Sequence, residues 1–318
     1  MVGAMEYVTV GVSDMDNSVR LFRDVMQLDV EAEYTPSASL LSLWGLEGIE
    51  GARVVELSCS GYPVGRLRLL ATTPPRTVRV RHDHGGPDTA TDVGVKAIDF
   101  YVRPPIKRWI GRLENAGCRA RSEPIRWEIG TVESEEVNIS GPDGYPMLLM
   151  VAWRHPETFR RKFDAAKPFS EVATTSVVCG DLDASRQFYG AVLGLTKFSD
   201  DEVEDEYRDL ADTLTGVPAG TRVRLTLYGM DGEPSGKLLL VHFYEASVRR
   251  LEGRMRPEHL GVAMFTHRTS DIERVHRRLE AADAPILAGP TRVPEYEGRV
   301  MVVTGPNDEL FEIIEAVR

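Results

Sequence analysis

The most constraining feature of this sequence is a stretch that occurs twice. Residues 14–28 and residues 181–195 share one frame, with aspartate at the first and third positions, a central phenylalanine and a leucine at the end. Each copy follows a run of alternating β-branched residues, so we predict that a strand leads into a helix. Asp14 and Asp181 are the predicted N-caps. The copies lie 167 residues apart, which indicates a duplicated domain rather than a short-period repeat.

Two further units follow the same order of strand, helix and three strands, which gives an α+β fold of four βαβββ modules. The turns Gly141-Pro142-Asp143-Gly144 and Gly305-Pro306-Asn307-Asp308 occupy equivalent places in the second and fourth units. We expect the modules to pair in chain order into two domains, although pairing across the halves stays open. The predicted modules are 5–75, 94–152, 171–245 and 257–317, and the predicted domains are 1–153 and 170–318 with a linker at 154–169.

Composition narrows the class of protein. The net charge of −11 argues against nucleic acid or an anionic membrane as a partner. We find no export signal and no apolar run long enough to span a bilayer, so we expect a cytoplasmic protein. The three cysteines are widely spaced and predict reduced, structural thiols. A small molecule is the expected partner, and a homodimer stays open.

The four patterns together resemble the vicinal oxygen chelate superfamily, which includes glyoxalase I, extradiol dioxygenases and the fosfomycin and bleomycin resistance proteins. The resemblance rests on residues 12–28, on the copy at 178–195, on Leu113-Glu114-Asn115-Ala116-Gly117 and on the two Gly-Pro turns. It implies a tandem repeat in which each pair of modules forms a curved, partly open eight-stranded mixed sheet around a cavity. Metal-dependent members hold one divalent ion there, which acts as a Lewis acid on two substrate oxygens.

The resemblance also implies where metal ligands would lie, namely on the first and last strand of each module. In the second module the count falls on Ile98 or Asp99, and the alternation of apolar residues favours Asp99. The eight positions are Tyr7, Asp99, Thr174 and Met264 on the first strands, and Arg68, Leu148, Leu239 and Glu312 on the last strands. None of them is a histidine, so we expect no cofactor of the usual His-ligated kind. An iron, manganese, zinc or nickel ion stays open, with Glu312, His82 and His84 as the remaining candidate ligands.

Four of these residues could carry acid–base chemistry. Asp99 lies in an apolar strand and is the candidate base, with Tyr7 and Arg68 as its expected neighbours. Glu312 is either a pocket carboxylate with a raised pKa or an outward-facing surface residue. The alternative for Asp99 is a purely structural pair with an arginine.

Further residues could bind the substrate. Tyr101 lies two residues after Asp99 and could donate a hydrogen bond to a substrate oxygen. Trp44, Trp127 and Tyr145 could form the aromatic wall of a pocket, although core packing explains them equally well. His242 and His267 lie in strand-like runs, where a histidine buried in the core is the alternative.

These residues favour a glyoxalase- or dioxygenase-like enzyme, such as a lyase or isomerase, that acts on a small oxygenated, aromatic or carbonyl compound by acid–base chemistry. The first alternative is a protein of the antibiotic-resistance type that binds a small molecule without changing it. The second alternative is a conventional metal-dependent dioxygenase or glyoxalase.

Overall fold

The computed structural model describes residues 1–81, 87–129, 131–157, 164–244 and 246–317. It consists of two curved mixed sheets, one of eight and one of nine strands, with the module helices packed on their outer faces. The predicted α+β class with four modules in two sheets is therefore confirmed. Within these ranges, no helix has the length and apolar character needed to cross a membrane.

The elements follow the predicted order in each module. Module one contains β1 (Met5–Gly11), α1 (Met15–Arg20) continued by a π-helical segment (Leu21–Val25), β2 (Asp29–Tyr34), α2 (Ala38–Leu43), β3 (Gly51–Ser58) and β4 (Arg66–Thr73). Module two contains α3 (Pro87–Ala90), β5 (Gly94–Val102), α4 (Ile106–Glu114), β6 (Arg119–Ala120), β7 (Ile125–Ile129), β8 (Val132–Ser140) and β9 (Pro146–Arg154).

The second half of the chain repeats the order in which a strand, a helix and further strands follow one another. Module three contains β10 (Phe169–Val178), α5 (Leu182–Arg186) continued by a π-helical segment (Gln187–Val192), β11 (Thr196–Glu202), a 3₁₀ turn (Asp205–Tyr207), α6 (Arg208–Thr215), β12 (Val223–Gly229) and β13 (Lys237–Phe243). Module four contains β14 (Gly261–Thr269), α7 (Ile272–Ala281), β15 (Ile286–Arg292), β16 (Arg299–Thr304) and β17 (Leu310–Glu315).

Aspartates begin three of the module helices, as the sequence predicts for two of them. Asp14 accepts a hydrogen bond from the amide of Asn17 at 3.0 Å, and Asp181 accepts one from Ala184 at 2.9 Å. Asp271 does the same for α7. Each carboxylate satisfies an amide that the first helical turn leaves without a partner.

The pairing of the modules differs from our expectation. The eight-stranded sheet has the order β15-β16-β17-β14-β1-β4-β3-β2 and therefore joins modules four and one. The other sheet joins modules three and two through antiparallel β10 and β5. The prediction that each half of the chain forms its own sheet is wrong, and the alternative of pairing across the halves is observed. All four first strands have equivalent free edges, so their apolar alternation fixes which face is buried but not which strand lies alongside.

The two halves of the sequence still hold their own modules together, but through the helix layer. Asp143 in the first Gly-Pro turn accepts a hydrogen bond from the Ser13 amide at 2.9 Å, at the start of α1. Asn307 in the second Gly-Pro turn accepts one from the Gly180 amide at 3.2 Å, at the start of α5. These turns therefore connect sequence-adjacent modules that belong to different sheets.

The two sheets are in direct backbone contact at Gly65, just before β4. Its amide donates to the carbonyl of Met5, and its carbonyl accepts from the amide of Val172 at 2.8 Å. A Cβ at this position would lie 2.2 Å from the Val172 carbonyl oxygen, and φ is +69°. Only glycine fits this contact.

A short helix lies between the second and third strands of modules one and three. Our expectation of a strand at Leu40–Leu43 is wrong, because Ser37 caps α2 and Leu40, Leu43 and Trp44 share its buried face. The equivalent α6 packs Ala211 and Leu214 into the concave side of the other sheet. The two inserted helices thus determine how much of each concave side remains open.

Candidate active site in the second cup

The pairing of the sheets divides the eight implied ligand positions into two groups. We call the concave side of the sheet of modules one and four the first cup, and that of modules two and three the second cup. The first cup contains Tyr7, Arg68, Met264 and Glu312. The second cup contains Asp99, Leu148, Thr174 and Leu239. The expected contact of Asp99 with Tyr7 and Arg68 is therefore wrong, since these residues lie in different sheets.

A buried ion-pair network fills the centre of the first cup. Arg68 and Glu312 are both fully buried, and Nη1 of Arg68 lies 2.7 Å from Oε2 of Glu312. Nε of Arg68 lies 3.2 Å from Oε1 of Glu56 on the neighbouring strand. The guanidinium also lies over the ring of Tyr7 at 4.5 Å. One buried arginine thus forms ion pairs with two carboxylates.

Aromatic and hydroxyl donors complete the hydrogen bonding of these carboxylates. Glu312 accepts hydrogen bonds from Thr266 at 2.7 Å, Trp44 at 2.8 Å and Tyr296 at 3.0 Å. Glu56 accepts hydrogen bonds from Tyr7 at 2.9 Å and Tyr34 at 3.0 Å. Each carboxylate oxygen accepts at least one hydrogen bond from a neighbouring side chain, so both carboxylates are satisfied within the protein.

The network also sets the protonation of Glu312. Burial acts to raise its pKa, but the charge and hydrogen bond of Arg68 and the hydrogen bonds from Thr266 and Trp44 outweigh burial and lower it. The expectation of a pocket carboxylate with a raised pKa is wrong for this residue. Trp44 is a part of the same network, and it also lines an open cavity of about 580 Å³ beside α2.

The second cup contains an open cavity of about 410 Å³. Its walls are mainly aliphatic and aromatic, and Trp127 and Tyr101 lie among them as predicted. A few polar groups converge on this apolar space, which is the arrangement typical of small-molecule sites. The apolar lining comprises Tyr101, Trp127, Val132, Leu148, Met150, Phe198, Leu225, Leu227 and Leu239.

Asp99 is the buried acid of this cavity. It lies on β5 opposite Thr174 of β10 and is 2 % exposed. Within the described part of the chain, its buried Oδ1 has no hydrogen-bond partner. Burial raises the pKa of Asp99 well above its ordinary value, and the nearby Glu136 carboxylate raises it further. A raised pKa makes the ionised carboxylate a stronger base, so this carboxyl group is suited to accept a proton and return it.

Sequence reasoning missed two charged residues of this site. Lys237 opens β13 directly beside Thr174 and is 1 % exposed, and burial lowers its pKa to about 8. Glu136 on β8 lines the same cavity, and burial raises its pKa. Strand parity could have indicated Lys237, because Leu239 two residues later occupies an implied ligand position on the same face.

His155 was also missed, and it supports Tyr101 at the cavity. The Tyr101 hydroxyl lies 2.9 Å from Nδ1 of His155, and the two rings meet edge to face at 5.3 Å between centroids. His155 follows β9 in a polar segment whose sequence carries no strand or helix periodicity. The predicted role of Tyr101 as a substrate contact remains a prediction.

Two other predicted binding residues lie on the helix side of the sheets. Tyr145 is 1 % exposed and its ring stacks on Phe22 at 6.3 Å, so the expectation that it walls a pocket is wrong. Nδ1 of His242 lies 3.4 Å from the carbonyl oxygen of Cys179, and the ring meets Tyr244 edge to face. Leu239 and His242 have opposite parity on β13, which directs the histidine away from the cup.

His267 is a core histidine, as its alternative interpretation proposed. It is 1 % exposed, its ring lies against Phe311, and Nδ1 lies 2.9 Å from the carbonyl oxygen of Gly3. Burial lowers the pKa of His267 from 6.5 to about 4. The folded chain therefore keeps this ring neutral.

The lowered pKa of His267 leads us to expect that the folded protein loses stability in acid. The unfolded chain protonates the ring below about pH 6.5, so the stabilisation is complete above that pH and is lost as the pH falls towards 4. Between pH 7 and pH 4, we expect the free energy of unfolding of the native protein to fall by about 3 kcal/mol more than that of His267→Gln. Urea titrations at several pH values measure this difference, and parallel pH profiles of the two proteins would contradict it.

The residues at the implied ligand positions do not fit the divalent metal of the superfamily. Two of the four positions in the second cup are leucines, which have no donor atoms. In the first cup one of the positions is Arg68, a cation that is ion-paired with Glu312 and cannot ligate a metal ion. Among the described residues, no group of three or more His, Cys, Asp or Glu side chains could hold a metal ion. His82 and His84 lie outside the described residues.

Comparison with known proteins supports this fold. A profile of the "Glyoxalase/Bleomycin resistance protein/Dioxygenase superfamily" matches residues 171–313. Glyoxalase I from Zea mays is 14% identical with a TM-score of 0.63, over 98% of this chain and 92% of that chain. A putative dioxygenase from Bacillus subtilis subsp. subtilis str. 168 is 13% identical with a TM-score of 0.60, over 99% of this chain and 85% of that chain. No curated protein matches the sequence.

These findings define the class of the protein. Residues 171–313 belong to the glyoxalase, bleomycin resistance protein and dioxygenase superfamily, and the whole chain has the fold of its four-module members. The predicted resemblance to the vicinal oxygen chelate superfamily is confirmed for residues 171–313 by the profile match, and the fold extends it over the rest of the chain.

Proposed function

We propose that this protein is an enzyme that moves a proton on a small oxygenated, aromatic or carbonyl compound bound in the second cup, with Asp99 as the catalytic acid–base. The observation that carries the proposal is the buried Asp99 carboxyl, whose Oδ1 has no hydrogen-bond partner among the residues that the structure describes. A buried polar atom without a partner is costly, so it favours a ligand group that completes its bonding.

The size and surface of the cavity support such a ligand. A volume of about 410 Å³ falls within the usual range for small-molecule sites. Trp127 and Phe198 offer flat apolar faces to an aromatic ring. The oxygenated part of the compound would meet the polar groups, which lie on adjacent strands.

The chemistry follows from the alignment of three neighbouring residues. Asp99 on β5, Thr174 on β10 and Lys237 on β13 are direct neighbours in register across three strands. The ionised Asp99 carboxylate takes a proton from the carbon next to a carbonyl group, and the bond electrons move to the carbonyl oxygen. The Lys237 ammonium and the Thr174 hydroxyl are suited to stabilise the resulting enolate. Return of the proton to the same carbon gives back the starting compound with its hydrogen exchanged. Where that carbon also carries a hydroxyl group, the hydroxyl proton passes to the former carbonyl oxygen, Asp99 returns its proton to the former carbonyl carbon, and an α-hydroxycarbonyl compound is isomerised.

Deuterium exchange tests this proposal without knowledge of the natural substrate. We expect the protein in D₂O to catalyse deuterium incorporation at the α-carbon of 2-hydroxyacetophenone, followed by ¹H NMR. The rate should exceed that of buffer and of heat-unfolded protein. Exchange no faster than buffer between pH 6 and pH 8, with the compound shown to bind, would overturn the enzymatic proposal.

The apolar cup favours one alternative, a protein that sequesters a small molecule. Leu148 and Leu239 occupy two of the four implied ligand positions, and they add binding surface without reactive groups. In this case equilibrium dialysis would recover the bound compound unaltered and without deuterium. Binding with exchange supports the enzyme, and binding without exchange supports sequestration.

A further inference from the structure

A second cavity of about 390 Å³ lies beyond α6 from the second cup. We call it the basic chamber. It is lined by the C-terminal end of α6, the start of β5 and the first Gly-Pro turn, and none of its described lining residues is an aspartate or glutamate. Its cationic residues are Arg79, Arg81, Lys96, Arg119 and Arg121.

Arg81 is a buried cation whose contacts are neutral. It is 4 % exposed, and its guanidinium donates to the carbonyl oxygens of Val95 at 3.2 Å and Thr89 at 3.1 Å. Asp92 is the nearby carboxylate, but both of its oxygens bind Arg249 at 2.9 Å. Burial lowers the pKa of Arg81 to about 10 despite the Asp92 charge. Among the described residues, the Arg81 charge therefore has no carboxylate of its own.

Lys96 is a second cation of the chamber whose contacts are neutral. Its ammonium donates to the carbonyl oxygens of Ala90 at 2.9 Å and Thr215 at 3.3 Å, and it lies 4.9 Å from the centre of the Phe243 ring. Burial lowers its pKa well below the ordinary value, and the Arg81 charge lowers it further. The carbonyl groups at the C-terminal end of α6 offset part of this charge.

Two desolvated cations that face the same space are unfavourable unless an opposite charge joins them. Charge-assisted hydrogen bonds from guanidinium and ammonium groups are the usual means of holding phosphate and carboxylate oxygens. We propose that the basic chamber is a binding site for a small oxyanion, a phosphate or carboxylate group, separate from the cavity of the second cup. This proposal does not depend on the proposed enzymatic function.

Calorimetric titration of the full chain with inorganic phosphate and, separately, with succinate tests the site at fixed ionic strength against chloride. We expect one of the two to bind with about one site per chain. Phosphate binding alone would identify a phosphate site, and succinate binding alone a carboxylate site. Binding of neither anion overturns the proposal.

Variants locate the binding. Lys96→Met removes a buried charge, and Arg119→Gln changes an exposed residue of the chamber, so the second variant remains informative if the first fails to fold. We expect each to weaken anion binding at least about tenfold, the loss of one charge-assisted contact. Arg23→Gln is the control, since Arg23 is an exposed arginine paired with Asp24 outside the chamber. Equal affinity in all four proteins would place the anion elsewhere and overturn the proposal.

Discussion

Replacing Asp99 with asparagine is expected to slow the deuterium exchange of 2-hydroxyacetophenone by about 10²–10⁴-fold, the usual contribution of a general acid–base. Asparagine has nearly the same shape and cannot accept the proton. It also removes a buried group that is costly to ionise, so we expect the melting temperature to stay the same or to rise. Affinity for the compound should change little, because the apolar walls remain.

A matched control uses a buried carboxyl on the other side of the fold. Glu309 is fully buried, accepts a hydrogen bond from Tyr189 at 2.6 Å, and burial raises its pKa to about 7. It lies in the turn before β17, away from the second cup. Glu309→Gln should keep the exchange rate of the native protein. An Asp99→Asn variant that exchanges at the native rate would remove Asp99 from the site.

Replacing Arg68 with methionine is expected to lower the free energy of unfolding by about 3–5 kcal/mol, since it leaves the carboxylates of Glu312 and Glu56 buried together without a cation. Urea denaturation at pH 7 measures the loss. The effect should shrink as the pH falls, because protonation of the two carboxyl groups removes their repulsion.

Two further variants test whether the loss of stability arises from the buried ion-pair network rather than from the removal of an arginine as such. Arg53→Gln on the neighbouring β3 removes an exposed ion pair with Asp16 and Glu33 and is expected to change stability little. The double variant Arg68→Met with Glu312→Met replaces charges with apolar volume and should recover more than half of the loss. A single Arg68→Met variant as stable as the native protein would show that the network is not structural.

The sequence predicts the four modules, because each one carries a complete local signal. Asp14 and Asp181 cap their helices as the motif requires, and the Gly-Pro turns lie where the repeat placed them. The partner of each module has no local signal. Strand β1 presents the same alternation to any equivalent edge, and the choice of β14 depends on the assembled helix layer.

The candidate site follows the same division. The positions of Asp99 and Trp127 could be predicted, since apolar alternation and composition mark them. The residues that surround Asp99 could not be predicted, because Glu136 and Lys237 lie on strands that come together only when modules two and three pair. The separation of Asp99 from Arg68 has the same origin.

The pairing of module one with module four, and of module two with module three, also affects how the chain folds during synthesis on the ribosome. Asp99 and Thr174 meet across 75 residues, so the second cup can assemble while the chain is still being made. Val8 meets Phe265 across 257 residues, so the first module is synthesised long before the strand that completes its sheet. Such distant partners close slowly and leave an edge exposed meanwhile. A nascent chain of this kind would depend on chaperone protection at its N-terminal module, and the buried network of Arg68 would form last.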